Sequence, residues 1–191
     1  ADAGNYVGST GQSSQTACLA GTYNANTGST TSSDCLDADA GNYVGSTGQT
    51  SQTECAAGTY QASTGQSACT DASAGHYVDS TAQTAQTECA EGTYQSLTGQ
   101  TSCTDADAGY YVPTTGQTTQ TACLAGTYNA NTGSTTSSDC LDADAGNYVP
   151  SAGQTSQTEC AAGTYQASTG QSSCIDADAG YYVPTTGQTS Q

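Results

Sequence analysis

Apolar side chains are sparse in this chain, and the tyrosines among them keep to one recurring place. A Tyr stands two residues after a glycine in segment after segment, from Tyr6 to Tyr182, within short stretches such as GTYQ and GNYV. Gly-rich and Ser/Thr-rich turns bound each stretch, and this pattern predicts brief β-strands joined by tight turns. Helix signals are almost absent. The tyrosines, spaced so regularly, are the candidates for a narrow apolar spine, with sugar stacking as the alternative role for the same rings.

The segments belong to a tandem repeat. Units begin at an ADAG-type box and span residues 1–37, 38–71, 72–105, 106–142, 143–176 and 177–191, the last a 15-residue partial unit. Because solenoid arrays carry polar caps, a partial unit predicts an excerpt of a longer array or ends covered by neighbours. The thirty residues from Gln15 to Val44 recur unchanged from Gln120 to Val149, an offset of 105. A constant step of this kind suits a regular rod or lattice.

Each unit divides again. Aligning Gly41 with Gly58 also aligns Tyr43 with Tyr60 and Gly48 with Gly65, so the second unit is two related loops of 17 residues. The second loop begins at Cys55 and carries Cys69 near its end; the first has Ala38 and Gln52 at those positions. Joint loss of both cysteines is what a bonded pair would show. This predicts the disulfides Cys18–Cys35, Cys55–Cys69, Cys89–Cys103, Cys123–Cys140 and Cys160–Cys174, each closing the second loop of its unit. The alternative register joins cysteines 20 apart, such as Cys35 with Cys55, and strands Cys18 and Cys174. Two units carry three extra residues in STTSSD before Cys35 and Cys140, a lengthening that a surface loop tolerates at little cost.

Composition sharpens this picture. Leu, Ile, Val and Phe together number 12 of 191 residues, a level at which a charged chain without cross-links stays disordered. Ten cysteines change that expectation, since closing a loop of ~15 residues contributes about 3 kcal/mol in the chain-entropy model. Covalent closure therefore replaces a core, and the fold expected is a small disulfide-rich all-β repeat: an elongated, rod- or solenoid-like array of hairpin loops without helix. Disulfides that hold a fold place the protein in an oxidising compartment, secreted or at a cell surface. No run approaches the ~20 apolar residues of a membrane span.

Charge excludes whole classes of partner. The chain has no Lys or Arg, 17 acidic residues and one His, for a formal charge of −17. Phosphate-backbone recognition needs cations, so nucleic acid is not a partner, and anionic membranes are poor ones. Catalysis lacks its parts as well: no base stands beside a nucleophile, no phosphate loop occurs, and no Cys-x-x-Cys knuckle holds zinc. A thin array of loops offers little cleft for a carboxylate pair. No enzyme is expected. His76 stands where other units have Asn, Thr or Tyr and reads as a surface substitution.

Two kinds of candidate site remain. Acidic boxes at the unit junctions supply hard oxygen donors, and Asp37 with Asp39, Asp105 with Asp107, and Asp142 with Asp144 are the candidate Ca²⁺ ligands; turn capping and solubility are their alternative role. Ser and Thr crowd the turns as in O-glycosylated stalks. Thr10, Thr31, Thr47, Thr64, Thr81, Thr98, Thr115, Thr136, Thr169 and Thr186 are the candidate acceptors of O-linked glycans. No Asn-x-Ser/Thr sequon exists, so an N-linked glycan has no acceptor.

The pattern Cys-x-Ala-Gly-Thr-Tyr, a Thr-Gly-Gln turn and a closing Cys, read at Cys55 to Cys69, is similar to the cysteine-rich repeats of the ephrin-receptor-like type, which are loosely akin to TNF-receptor modules. In that family a Cys-x-x-Cys junction links consecutive loops, whereas here Ala72 stands where the second cysteine would be. The resemblance implies an extended, extracellular, disulfide-laddered array without enzymatic activity. The function expected is a structural one, the shaft of an extracellular filament or surface appendage, self-associating along its length and O-glycosylated. The alternative is an adhesive or receptor-type stalk that presents a binding domain away from the cell.

Overall fold

A computed structural model describes all 191 residues, Ala1–Gln191. The chain forms two compact units, one of residues 1–88 and 97–103, the other of residues 89–96 and 104–191. Both are built from the same part. Ten two-stranded antiparallel ladders follow one another along the sequence, each pairing neighbouring strands of two residues. β1 (Asn5–Tyr6) pairs with β2 (Thr16–Ala17), with Tyr6 opposite Thr16. The only helical turns are single 3₁₀ turns at Ser32–Asp34 and Ser137–Asp139, where the STTSSD lengthening falls.

Strands of two residues cannot hold a fold by themselves. Backbone bonds between consecutive loops tie the ladders together. In the first unit, loop 18–37 meets loop 38–54 through Gly21 N–H to Val44 O (2.8 Å), Asn24 N–H to Gln49 O (3.0 Å), Ala38 N–H to Gly21 O (2.9 Å) and Gly48 N–H to Cys18 O (2.8 Å). In the second unit the same four bonds join loop 123–142 to loop 143–159, from Gly126, Asn129, Ala143 and Gly153. Within a unit, loops also reach their next-but-one neighbours. A Cβ on Gly21 would overlap the carbonyl oxygen of Gly65, and one on Gly58 that of Gly99. The backbone stands at φ +89° and +88° at these two glycines, so crowding and conformation both demand glycine.

The enclosed column differs from the tyrosine spine that the sequence suggests. Tyr43 and Tyr60 are half-buried. The fully buried side chains are instead the residue after the tyrosine and the first residue of each loop: Val44 and Val78 with Ala38, Ala72, Cys18 and Cys55 in one unit, and Val112 and Val149 with Ala106, Ala143, Cys123 and Cys160 in the other. Successive side chains on a strand point to opposite faces. The residue after the tyrosine faces inward where three loops converge, and the bulky ring lies half-buried on the other face.

The inward column alternates in chemistry. First loops supply Val, whereas second loops supply Asn24, Gln61, Gln95, Asn129 or Gln166. These amides close their own turns. Asn24 Nδ2 donates to Ser29 Oγ at 2.7 Å while its Oδ1 accepts from Asn26 N–H at 3.0 Å. Gln61 Nε2 donates to Ala68 O at 2.8 Å and its Oε1 accepts from Ser63 N–H at 3.1 Å. No buried side-chain nitrogen or oxygen lacks a partner, as a polar interior requires.

Candidate functional site

The chemistry of this chain is concentrated where its loops close. Every cysteine is disulfide-bonded. Cys18 pairs with Cys35, Cys55 with Cys69, Cys123 with Cys140 and Cys160 with Cys174, with Cα atoms 5.6–5.7 Å apart, inside the range that an unforced bridge spans. Cys89 and Cys103 are bonded as well. Cys35 and Cys55 belong to different bridges, so the register that joins cysteines across loops is not adopted. In each loop the leading cysteine is fully buried, and the trailing ones, such as Cys35 and Cys69, are partly exposed.

First loops close without covalent help, by a device that their alignment hid. At the position of the trailing cysteine stands a glutamine, and its amide clamps the second residue of the same loop. Gln52 Oε1 accepts from Asp39 N–H at 2.7 Å and its Nε2 donates to Asp39 Oδ2 at 2.7 Å. Gln15 holds Asp2, Gln120 holds Asp107, Gln157 holds Asp144 and Gln191 holds Asp178 in the same two-point way. Where Ser73 replaces Asp, Gln86 keeps only the backbone half of the clamp. Gln52 aligned with Cys69 is therefore a replacement of the closure rather than its loss. The signal was the invariant step of 13 residues from Asp to Gln.

The acidic boxes divide between several tasks. Asp39, Asp107 and Asp144 are clamp partners. The carboxylates of Asp37 and Asp142 lie against Gly65 and Gly170 of the next-but-one loop, where a Cβ would come within 3.2 Å. Asp105 is exposed, in a strand pair with Thr93. Nowhere do three His, Cys, Asp or Glu side chains gather as metal ligands, so these six candidate Ca²⁺ ligands are not brought together. His76 is half-buried across the ladder from Glu88, its Nε2 3.9 Å from Oε1.

One further acid shapes the lengthened loops. Asp34 Oδ2 accepts from the backbone N–H of Thr30 at 2.9 Å and of Thr31 at 3.0 Å. The Thr31 bond first, then the Thr30 bond, holds the Asp34 carboxyl below its ordinary value of 3.8. The ten threonines named above as glycan acceptors are all exposed. Thr81 and Thr186 donate their hydroxyls to Glu54 and Glu159, each 27 residues earlier. Thr31 and Thr136 share bonds with Ser33 and Ser138.

No protein-family model matches the sequence, and a search of curated proteins finds no match. No helix is long and apolar enough to cross a membrane. The geometry defines a disulfide-rich tandem array of closed loops, and bonds of this kind persist in an oxidising compartment.

Proposed function

We propose that this chain is a structural module, the shaft of an extracellular filament or surface appendage, that it associates with further copies along its length, and that its exposed threonines carry O-linked glycans. We further propose that its repeats are of the ephrin-receptor-like kind. One observation supports the structural reading best. The donors and acceptors on the trailing side of a loop match those on the leading side of the loop that follows, and the set recurs at successive junctions within each unit. Such a surface is complementary to its own opposite face, which is the condition for heterologous, open-ended association. Reliance on disulfides supports an extracellular setting.

Electron microscopy of native material tests the proposal. Periodic filaments with an axial repeat set by the loop step are expected; isolated stalks that end in a globular head would replace this reading with that of a presenting stalk. Intact mass tests the glycans separately, since the bare chain weighs 18.9 kDa and glycosylated protein must exceed it.

A further inference from the structure

Two grooves, one in each compact unit, share a lining that the short loops do not provide. In the first unit, at the junction of loops 1–17 and 18–37, Tyr6, Leu19 and the Cys18–Cys35 disulfide line the groove together with the hydroxyl residues Thr16 and Ser32, and Asp37 adds a carboxylate that the second groove lacks. The groove encloses about 320 Å³. Tyr111, Leu124, Cys123–Cys140, Thr121 and Ser137 build the same groove in the second unit, with a volume of about 210 Å³.

What distinguishes the long loops converges here. Leu19 and Leu124 stand where the short loops have Ala56, Ala90 and Ala161, and Ser32 and Ser137 lie in the STTSSD lengthening. These departures lie 13 residues apart in sequence, yet line one groove in both units. The leucines are 71% and 74% exposed, so folding gains little from their extra bulk over alanine. A ligand that covers them would gain it.

We propose that each groove binds one ring of a neutral saccharide. The apolar walls suit the C–H face of a pyranose, as aromatic and aliphatic surfaces do, while the Thr and Ser hydroxyls both donate and accept toward ring hydroxyls. Thr22 hydroxyl donates to Leu19 O at 2.9 Å and keeps its oxygen as an acceptor at the same edge. Charge selects further: with no Lys or Arg and a formal charge of −17, the groove has no partner for a phosphate, sulfate or uronate. Both volumes fall at or below the small end of the ~300–1,000 Å³ typical of ligand pockets, which suits a single ring.

The test is NMR titration of the whole 191-residue chain with cellotetraose, with oligogalacturonate as the anionic probe and p-cresol as an aromatic probe that is not a sugar. Saturable shifts confined to Ala17, Leu19, Ala122 and Leu124 methyls and the Tyr6 and Tyr111 rings are expected from cellotetraose, and none from oligogalacturonate. The double variant L19A/L124A carries the residue native to the short loops, so its disulfides form, and its affinity falls about tenfold. No shift at tens of millimolar cellotetraose, shifts from p-cresol alone, equal response to oligogalacturonate, or undiminished binding by the folded variant each overturns the proposal.

Discussion

Glycine is required at some positions of the loop and only favoured at others, and the molecule contains its own control. The glycine that precedes the tyrosine combines a positive φ with contact against a carbonyl two loops away, as at Gly58 against Gly99. Gly58→Ala should therefore destabilise the first unit by about 2–4 kcal/mol, from the left-handed backbone and the displaced carbonyl together. The turn glycine is different, for Ala82 occupies that position at φ 58°. Ala82→Gly relieves ~1–2 kcal/mol of left-handed strain and loses up to ~1 kcal/mol through the more flexible unfolded chain, so a net gain between zero and ~2 kcal/mol is expected. Urea midpoints at constant slope decide both, and a neutral Gly58→Ala would mean that the loops do not approach as described. Asp34 supplies a pH test. Because its carboxyl titrates below 3.8 in the folded chain, its contribution is present above that value and is lost as pH falls through the depressed one. The Thr31 amide shift should then titrate with a midpoint below 3.8, and Asp34→Asn should abolish the transition.

At the scale of the loop, two closures of different chemistry support nearly the same backbone. A disulfide spanning 14 residues, as in Cys55–Cys69, contributes about 3 kcal/mol in the loop-entropy model. A clamp such as Gln52 on Asp39 is solvent-exposed, and its two bonds together are worth about 1 kcal/mol. The two should be exchangeable at that difference. Replacing Cys55 and Cys69 by Ala costs the full disulfide contribution, whereas C55A/A56D/C69Q rebuilds the clamp and recovers about 1 kcal/mol of it. Ser73→Asp completes the half-clamp of Gln86 and gains several tenths of a kcal/mol. If denaturant midpoints of the double and triple variants coincide, the glutamine is not a closure. Pairing of Cys18 with Cys35 and of Cys55 with Cys69 was legible because internal repetition supplied an aligned loop lacking both partners. The clamp lay in the same alignment but was hidden, since a glutamine opposite a cysteine suggests a vacancy until its partner Asp39 is placed. The tyrosines misled because Tyr43 is the larger apolar neighbour of Val44, but the strand turns the residue after the tyrosine, Val, Asn or Gln, to where three loops meet and leaves the ring half-buried on the other face. The bonds from Gly21 to Val44 and from Asn24 to Gln49 belong to the backbone, and no side-chain pattern announces them.

For the whole chain the governing quantity is charge of one sign. Seventeen acidic residues face no Lys or Arg, and among side chains only His76 can turn positive. In an ordinary protein added salt weakens attractive pairs along with repulsive ones, and the effects largely cancel. Here almost nothing attractive exists to weaken. The clamps and the Asp34 turn are hydrogen bonds at contact distance, and screening acts on separations beyond the Debye length, which shrinks from about 30 Å at 0.01 M to about 8 Å at 0.15 M salt. Moderate NaCl should therefore raise the melting temperature monotonically across that interval, by relief of self-repulsion that favours the unfolded chain. Sodium sulfate at equal ionic strength separates screening from salting-out: matching curves at low concentration identify screening, and divergence above it measures surface exclusion. Calcium adds a sharper contrast. Since no three ligands gather at one place, Ca²⁺ should follow the ionic-strength curve of Mg²⁺; a stabilisation specific to micromolar Ca²⁺ would show that the Asp37 and Asp39 carboxylates rearrange into a site.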